Sequence, residues 1–533
     1  MARKAKIVRL SGALERRNNR EALLKRIRSG EEPSRLKTEV SAALHLLHPS
    51  PATVSGETWL DLGMDHVFRK IDRTVSAPGS QFLYYWLFRS STDPRRPQLL
   101  SEGYRTILEN QEICTQADNI LLKLRGRECA AISGVVYGTQ PEKPRTYPLY
   151  LVLPLLFIAA VAGLFISKSF ILAVLLMGAV NMFVQQRAAM KISSHIPHMG
   201  SLGRMLSVAM DLAGFSDFDT DELNTIRSNK ESILSLQRKC RWLLLDSSSM
   251  DELSGSVVAY INNLLLVNII MFFSAAVYIE THRKALQEVF EAIGSLDMRI
   301  AAGRYMMDNR CCVPRLSEKN IINVEGLYHP LLEKPVPNDF SLKEKSCLIT
   351  GSNMAGKTTF IKTIGLNLIL AETLGFCHAE SAVFPAATVL STIRRADDLE
   401  HGKSYYFVEI ENILKFIQTC SSERYLLLID EIFRGTNTVE RLSASAAVLS
   451  YLADRATVLV TTHDIELGDM LGDNFSMFHF QERIDGDRHY FDYCINPGAC
   501  RSRNAIRLLQ ITGYPHEIVS NARSWAESML KKD

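Results

Sequence analysis

The pattern of hydrophobic and polar positions changes texture along the chain. From Thr58 to Glu109, apolar and charged residues alternate at helical period, with a break predicted at Ala77-Pro78-Gly79. Residues 149–166 then carry no charge, and after the turn Ser167-Lys168-Ser169 residues 170–184 are again uncharged. Each half is near the lower length limit for crossing a bilayer, and together they predict a membrane hairpin over 149–184. Lys143 and Arg145 before it, with Arg187 and Lys191 after it, suit two ends held on the cytoplasmic side. The same pattern could describe a buried helical pair, but cores rarely need such a long uncharged run. A third apolar segment, Val257 to Ile279, contains Asn262, Asn263 and Asn268. It reads either as a buried core helix or as a membrane-apposed one.

Residues 283–310 form another amphipathic helical pattern. From Ile321 short apolar runs alternate with helices, and Cys347–Thr350, Tyr425–Ile429 and Thr457–Thr461 are strand-like. That alternation predicts a parallel α/β sheet. The expected organisation is a basic N-terminal segment over 1–56, a helical core over 57–320 interrupted by the hairpin, and an α/β domain over 321–533.

Composition changes this picture little. The chain has 533 residues, 47% hydrophobic and 22% charged, with a net charge of +3. That suits two or three folded domains and does not mark a strongly nucleic-acid-binding surface. Basic charge is local: residues 1–37 hold 12 Lys/Arg against 4 Glu. Such a run can touch phosphates or anionic lipid, or it can be a solvated terminus. No apolar h-region follows it, so no signal peptide is expected. Ten cysteines without CxxC or Cys/His spacing read as reduced thiols in a cytosolic setting.

Three segments carry chemistry. Gly351-Ser352-Asn353-Met354-Ala355-Gly356-Lys357-Thr358, followed by Thr359, fits GxxxxGK[ST] between a predicted strand and a predicted helix. The glycines let backbone N–H groups wrap phosphates, and the helix N-terminus adds its positive end. Lys357 would reach the β- and γ-phosphates of ATP, and Thr358 would ligate Mg2+. The apolar run Tyr425–Ile429 ends in Asp430-Glu431, where Asp430 would hold the Mg2+ shell and Glu431 would orient or deprotonate the attacking water. Thr457–Thr461 leads to Thr462-His463-Asp464, placing His463 to sense the γ-phosphate. These features make the α/β domain a P-loop NTPase of ABC type. They also argue against a full crossing by 257–279, because one further span would move the nucleotide site to the far side of the membrane.

Taken together, these segments resemble the MutS family of ABC-type ATPases. The resemblance rests on Gly351–Thr359, Ser404–Glu409, Asp430-Glu431-Ile432-Phe433-Arg434-Gly435-Thr436-Asn437, Thr461-Thr462-His463 and the tail from Gly498 to Pro515. Upstream, Asp72-Arg73-Thr74, Pro78-Gly79, Trp86-Leu87 and Leu296-Asp297 resemble parts of the MutS helical core. The resemblance implies a homodimer in which Ser404 completes the partner subunit's ATP site, with Arg434 and Asn437 near that interface. It implies a C-terminal dimerisation helix after Pro515, and double-stranded DNA as the default partner.

The sequence also departs from the family. Only about 56 residues precede the core, so a mismatch-binding domain and its Phe-x-Glu wedge are not expected. Phe433 stands where the repair proteins usually have glycine. Pro335 stands where an adenine-stacking aromatic is common, leaving Tyr328 or His329 for that task. The expectation is a membrane-anchored MutS-like subfamily on the cytoplasmic face: an ATP-driven dimeric clamp that binds DNA. The alternative is an ATP-switched interaction or remodelling protein at the membrane that does not bind DNA.

Overall fold

The computed structural model describes residues 20–29, 31, 38–48, 54–192, 196–215, 219–240, 260–352, 355–393, 405–420, 424–433, 436–485, 488–499 and 513–530. The chain divides into two compact units. One comprises 1–50, 71–85 and 106–304; the other comprises 51–70, 86–105 and 305–533.

The described part of the first unit is helical. Its elements include α1 (Gln111–Leu121), α2 (Tyr147–Gly163), α3 (Phe170–Ile192), α4 (Ile196–Ala213), α5 (Val267–Thr281) and α6 (from Arg283). Helix α1 is capped by Asn110, whose side chain accepts the Ile113 N–H. Deep in this unit the Asp297 carboxylate accepts the backbone N–H groups of Val75 and Ser76 at 3.0 and 2.7 Å. The sequence reading placed a break at Ala77-Pro78-Gly79, but these residues open the helix Ala77–Leu87. Proline fits a first helical turn because its missing N–H would have no intrahelical partner there. Gly79 is required by packing: a Cβ at this position would collide with the Asp297 carboxyl.

Helices α2 and α3 pack side by side as the two arms of a hairpin. Their outward faces are apolar and exposed, Phe165 and Ile166 at the tip being 93% and 86% exposed. The two arms differ in reach. Phe170–Ala188 is long and apolar enough to cross a membrane, while α2 is shorter. At 1.5 Å per residue the 17 residues of α2 extend only about 25 Å. Asn181 is fully buried and donates its side-chain amide to Leu264 O at 2.7 Å. The described part of the third apolar segment thus packs on the hairpin, and α5 buries Phe272, Phe273 and Ile279.

The second unit is built on two sheets. A four-stranded sheet has the order β1 (Arg315–Ser317), β5 (Ser381–Pro385), β2 (Ile321–Leu327), β3 (Asn338–Lys343). A six-stranded sheet has the order β10 (Arg488–Pro497), β9 (Phe475–Asp485), β4 (Ser346–Thr350), β8 (Thr457–Thr461), β7 (Tyr425–Asp430), β6 (Thr388–Thr392). Within it β9, β4, β8, β7 and β6 run parallel, and β10 is antiparallel.

Strands β4 and β8 are buried at all five positions, as expected of parallel strands covered on both faces. On one face Leu427, Ile429, Val458 and Val460 pack with Ile413 and Phe416 of α8 (Tyr405–Thr419) and Leu449 of α9 (Thr438–Ala453). On the other lies α7 (Lys357–Leu374), where Gly365 allows close approach because a Cβ would strike Leu428. The expectation of a helical region plus an α/β region with sheets therefore holds. Helix α10 (His516–Leu530) follows Pro515.

Candidate active site

The strand order brings three separate sequence segments to one end of the sheet. Neighbouring strands β4, β8 and β7 all run the same way, so Thr350, Thr461 and Asp430 terminate side by side. The C-terminal edge of a parallel sheet is the ordinary place for a ligand crevice.

After β4 the chain turns through Gly351, φ +135°, and Gly356, φ +105°, into α7. Only glycine adopts such angles readily, and a Cβ on Gly351 would also collide with Phe480 O. Lys357, the first residue of α7, is buried and donates Nζ to Gly351 O at 2.6 Å and Ser352 O at 2.8 Å. Thr358 Oγ1 donates to Asp430 Oδ1 at 2.9 Å, and Thr461 Oγ1 donates to the same carboxylate oxygen. The backbone N–H of Glu431 is held by Thr461 O at 3.0 Å, and His463 Nε2 lies 3.0 Å from Glu431 Oε1. Five residues predicted from separate motifs, Lys357, Thr358, Asp430, Glu431 and His463, thus converge.

The turn after β7 is unusual. Glu431 and Phe433 both have left-handed backbone angles, φ +60° and +59°. For residues with a Cβ this conformation costs of order 1 kcal/mol each and persists only where surroundings enforce it. Here Glu409 of α8, itself buried, accepts the Phe433 N–H at 2.5 Å. Phe433 thus holds a backbone conformation that glycine would adopt freely, so the departure noted in the sequence adds strain at this turn.

A cavity of about 430 Å3 opens beside this cluster. Ser352, Lys357, Thr358, Thr359, Asp430 and Glu431 form its polar end. Tyr328 and His329 lie in its wall, together with Leu332 and Val336. Burial, aided by Lys362, depresses His329 to about 4, so its ring is neutral at ordinary pH. Ser352 Oγ is buried without a hydrogen-bond partner, an orphaned polar atom facing a site rich in donors. A hydroxyl beside a carboxylate is a hard oxygen set suited to Mg2+, and the residues present fit that ion.

Comparison with known proteins bears on this site. Residues 347–530 match the family model for MutS domain V. That stretch is MutS-like. The chain is 32% identical over 267 residues to the DNA mismatch repair protein MutS of Lactobacillus delbrueckii subsp. bulgaricus, and 30% identical over 254 residues to that of Thermus aquaticus. These matches cover 48% and 47% of this chain and 31% of each relative. The chain thus spans about a third of the length of the curated relatives it matches. Both findings support the MutS resemblance read from the sequence.

Within the MutS domain V match, the predicted residues fall into three groups. Gly351, Ser352, Gly356, Lys357, Thr358, Thr359, Asp430, Glu431 and His463 lie together, and Ala355 is buried beside them. Asn437 caps α9, its side chain accepting the Val439 N–H at 2.9 Å. Asn353, Met354, Ser404, Arg434 and Gly435 lie outside the described residues, as do 1–19 and 501–512.

Several site residues were not singled out by sequence reasoning. Tyr493 lines the cavity with φ +55° at a β-bulge, and Asn338 clasps the strand beside it through Tyr493 O and Ile495 N. Only the register of β10 against β9 brings it there. Thr461 and Glu409 belonged to flagged segments, yet their partners are distant in sequence. Arg441 on α9 forks onto Asp464, with Nη2–Oδ1 at 2.8 Å and Nε–Oδ2 at 3.1 Å. Nothing in the sequence pattern announces that pair.

Proposed function

We propose that this chain is a MutS-like ATPase. The observation that carries this reading is the meeting of Lys357, Thr358, Asp430 and Glu431 at the polar end of one cavity, with His463 set against Glu431. Thr358 and Asp430 would hold Mg2+, which when bound supplies a Lewis acid at the phosphate oxygens. The N–H groups at the start of α7 and the Lys357 ammonium bind the β- and γ-phosphates of ATP. Lys357 now rests on loop carbonyls and has only to exchange them for phosphate oxygens. Glu431 accepts a proton from the attacking water, or orients it, and His463 holds that carboxylate in place. The strained turn at Glu431 is fixed from behind by Glu409 and Thr461, so the base is preorganised.

Following the MutS resemblance, the working form is a homodimer whose partner subunit contributes Ser404 to the γ-phosphate. ATP bound between two subunits favours the closed dimer, and hydrolysis removes that preference. DNA is the partner the resemblance suggests. The names of the matched relatives support this, as does the basic charge of residues 1–37. The reading includes anchoring on the cytoplasmic face of a membrane through 149–184. Supporting the anchor are the exposed apolar arms and the cations at their base. Lys143 sits over the Tyr147 ring and Arg187 over the Phe183 ring, the amphipathic pairing suited to a headgroup layer. The same exposed hairpin favours the second reading, a membrane remodelling ATPase without DNA.

The deciding test is steady-state ATP hydrolysis by the full chain, together with duplex DNA binding across a salt series. Turnover with steeply salt-sensitive DNA binding supports the clamp. Turnover without DNA binding supports the remodelling reading, and no turnover sinks both.

A further inference from the structure

We infer that Arg441 and Asp464 are a positioning pair that sets His463 against Glu431, an inference that rests on the ATPase reading above. Asp464 immediately follows His463, and Arg441 is the fourth residue of α9, 23 positions away. The guanidinium meets the carboxylate by two parallel hydrogen bonds, which fixes orientation as well as distance. Both side chains are about one-fifth exposed. A bidentate pair that is largely shielded from solvent has few alternative geometries, so it holds the two elements in a defined relation.

Two further hydrogen bonds restrain the loop it holds. Thr462 N–H donates to Ile349 O at 3.0 Å, and Asp464 N–H donates to Thr462 Oγ1 at 3.0 Å. The first restraint precedes His463, and the second acts within the loop. The Arg441 fork ties the residue that follows His463 to another element. It ties it, moreover, to the helix opened by Asn437, which follows the Asp430–Glu431 turn directly. One ion pair therefore closes a ring: β7 and its turn to Glu431, Glu431 to His463, Asp464 to Arg441, and α9 back to the turn. A shift of the start of α9 is transmitted to the imidazole, and from there to the carboxylate that handles water.

The role is tested in the full chain with Arg441→Ala, Asp464→Asn and the reversed pair Arg441→Asp with Asp464→Arg. The expected result is a kcat loss of about tenfold or more in each single variant, because small misplacement of a base is costly. Affinity for a fluorescent ATP analogue should stay within about threefold, because phosphate binding is left intact. The reversed pair should recover most of the lost kcat. Hydrogen exchange at the amides of 462–464 should quicken in Arg441→Ala and slow again in the reversed pair, a readout independent of turnover. Unchanged kcat and exchange in Arg441→Ala would overturn the inference. So would a reversed pair no better than either single variant, or loss of nucleotide affinity alongside kcat, which marks a general structural role. If the wild type does not hydrolyse ATP, the ATPase reading fails, while the exchange data still decide whether the pair positions the loop.

Discussion

Thr358 Oγ1 lies 2.9 Å from Asp430 Oδ1, although 72 residues separate them. Thr358 lies at the start of the helix that follows β4 and Asp430 ends β7, one strand further along the sheet with β8 between, so the shared parallel direction brings them together at the hard-oxygen end of the cavity. Asp430→Asn keeps the hydrogen bond from Thr358 but lowers the charge available to a divalent cation. Its Mg2+ dependence of turnover should shift upward by about tenfold or more, since carboxylate charge dominates binding of a hard cation. A Mg2+ titration of ATPase rate checks this; an unshifted curve would place the metal elsewhere.

Lys357 and Glu431 should separate binding from chemistry. Lys357→Ala should abolish measurable nucleotide binding, because Lys357 brings its ammonium to the start of the helix that follows the glycine turn, beside Thr358 in the cavity wall. Glu431→Ala should bind ATP normally and lose turnover by about 100- to 10,000-fold, the usual range for a missing general base. Equilibrium binding of a fluorescent analogue beside single-turnover hydrolysis distinguishes the two. Normal turnover in Glu431→Ala would remove it from the base role.

Gly351 is a more stringent test of the loop than its exposure suggests. Gly351→Ala requires both a left-handed φ of +135° and space already taken by Phe480 O. The variant should fold, because the strain is local, but lose nucleotide affinity by about tenfold or more as the loop N–H groups are displaced. Unaltered affinity would mean that the loop does not wrap phosphate.

Asp297 should make stability fall as pH rises. Burial pushes its carboxyl up to about 7, against hydrogen bonds from Ser76 and Val75 that favour the charged form, while Asp118 adds to the rise. A carboxyl raised above its unfolded value of about 3.9 binds its proton more tightly when folded. Its contribution is therefore complete below about pH 4 and is lost as pH rises through about 7. Glu372, raised by burial to about 8, acts in the same direction. Asp297→Asn should flatten the Asp297 share of the slope and cost about 1–3 kcal/mol, because an amide cannot accept at both of its ends. Denaturation midpoints between pH 4 and 8 check the sign, and a wild-type curve that climbs over this range contradicts it.

Removing 147–186 should move the protein from the membrane pellet to the soluble fraction while leaving ATP turnover within about threefold, since exposed apolar surface of this size seeks lipid or aggregates. Persistence in the pellet would shift attention to 260–281, which packs on the hairpin through Asn181 and Leu264.

Much of this protein is legible in one dimension. Glycines at 351 and 356, the lysine and threonine after them, and an apolar strand ending in two acids are local patterns, and local sterics and hydrogen bonding determine their shape. The long uncharged runs likewise show in the sequence as two segments parted by Ser167-Lys168-Ser169, and they form two helices joined by a tight turn. What the sequence left open depended on pairing between distant segments. Strand order decided that Thr358, Asp430 and Thr461 share one oxygen cluster. The bulge and register of β10 decided that Tyr493 faces the cavity. Packing decided that Ala77-Pro78-Gly79 begins a helix under Asp297, and that Glu409 braces the left-handed turn at Phe433. A side chain's identity limits which bonds it can make; only the tertiary fold supplies the partner that makes one of them.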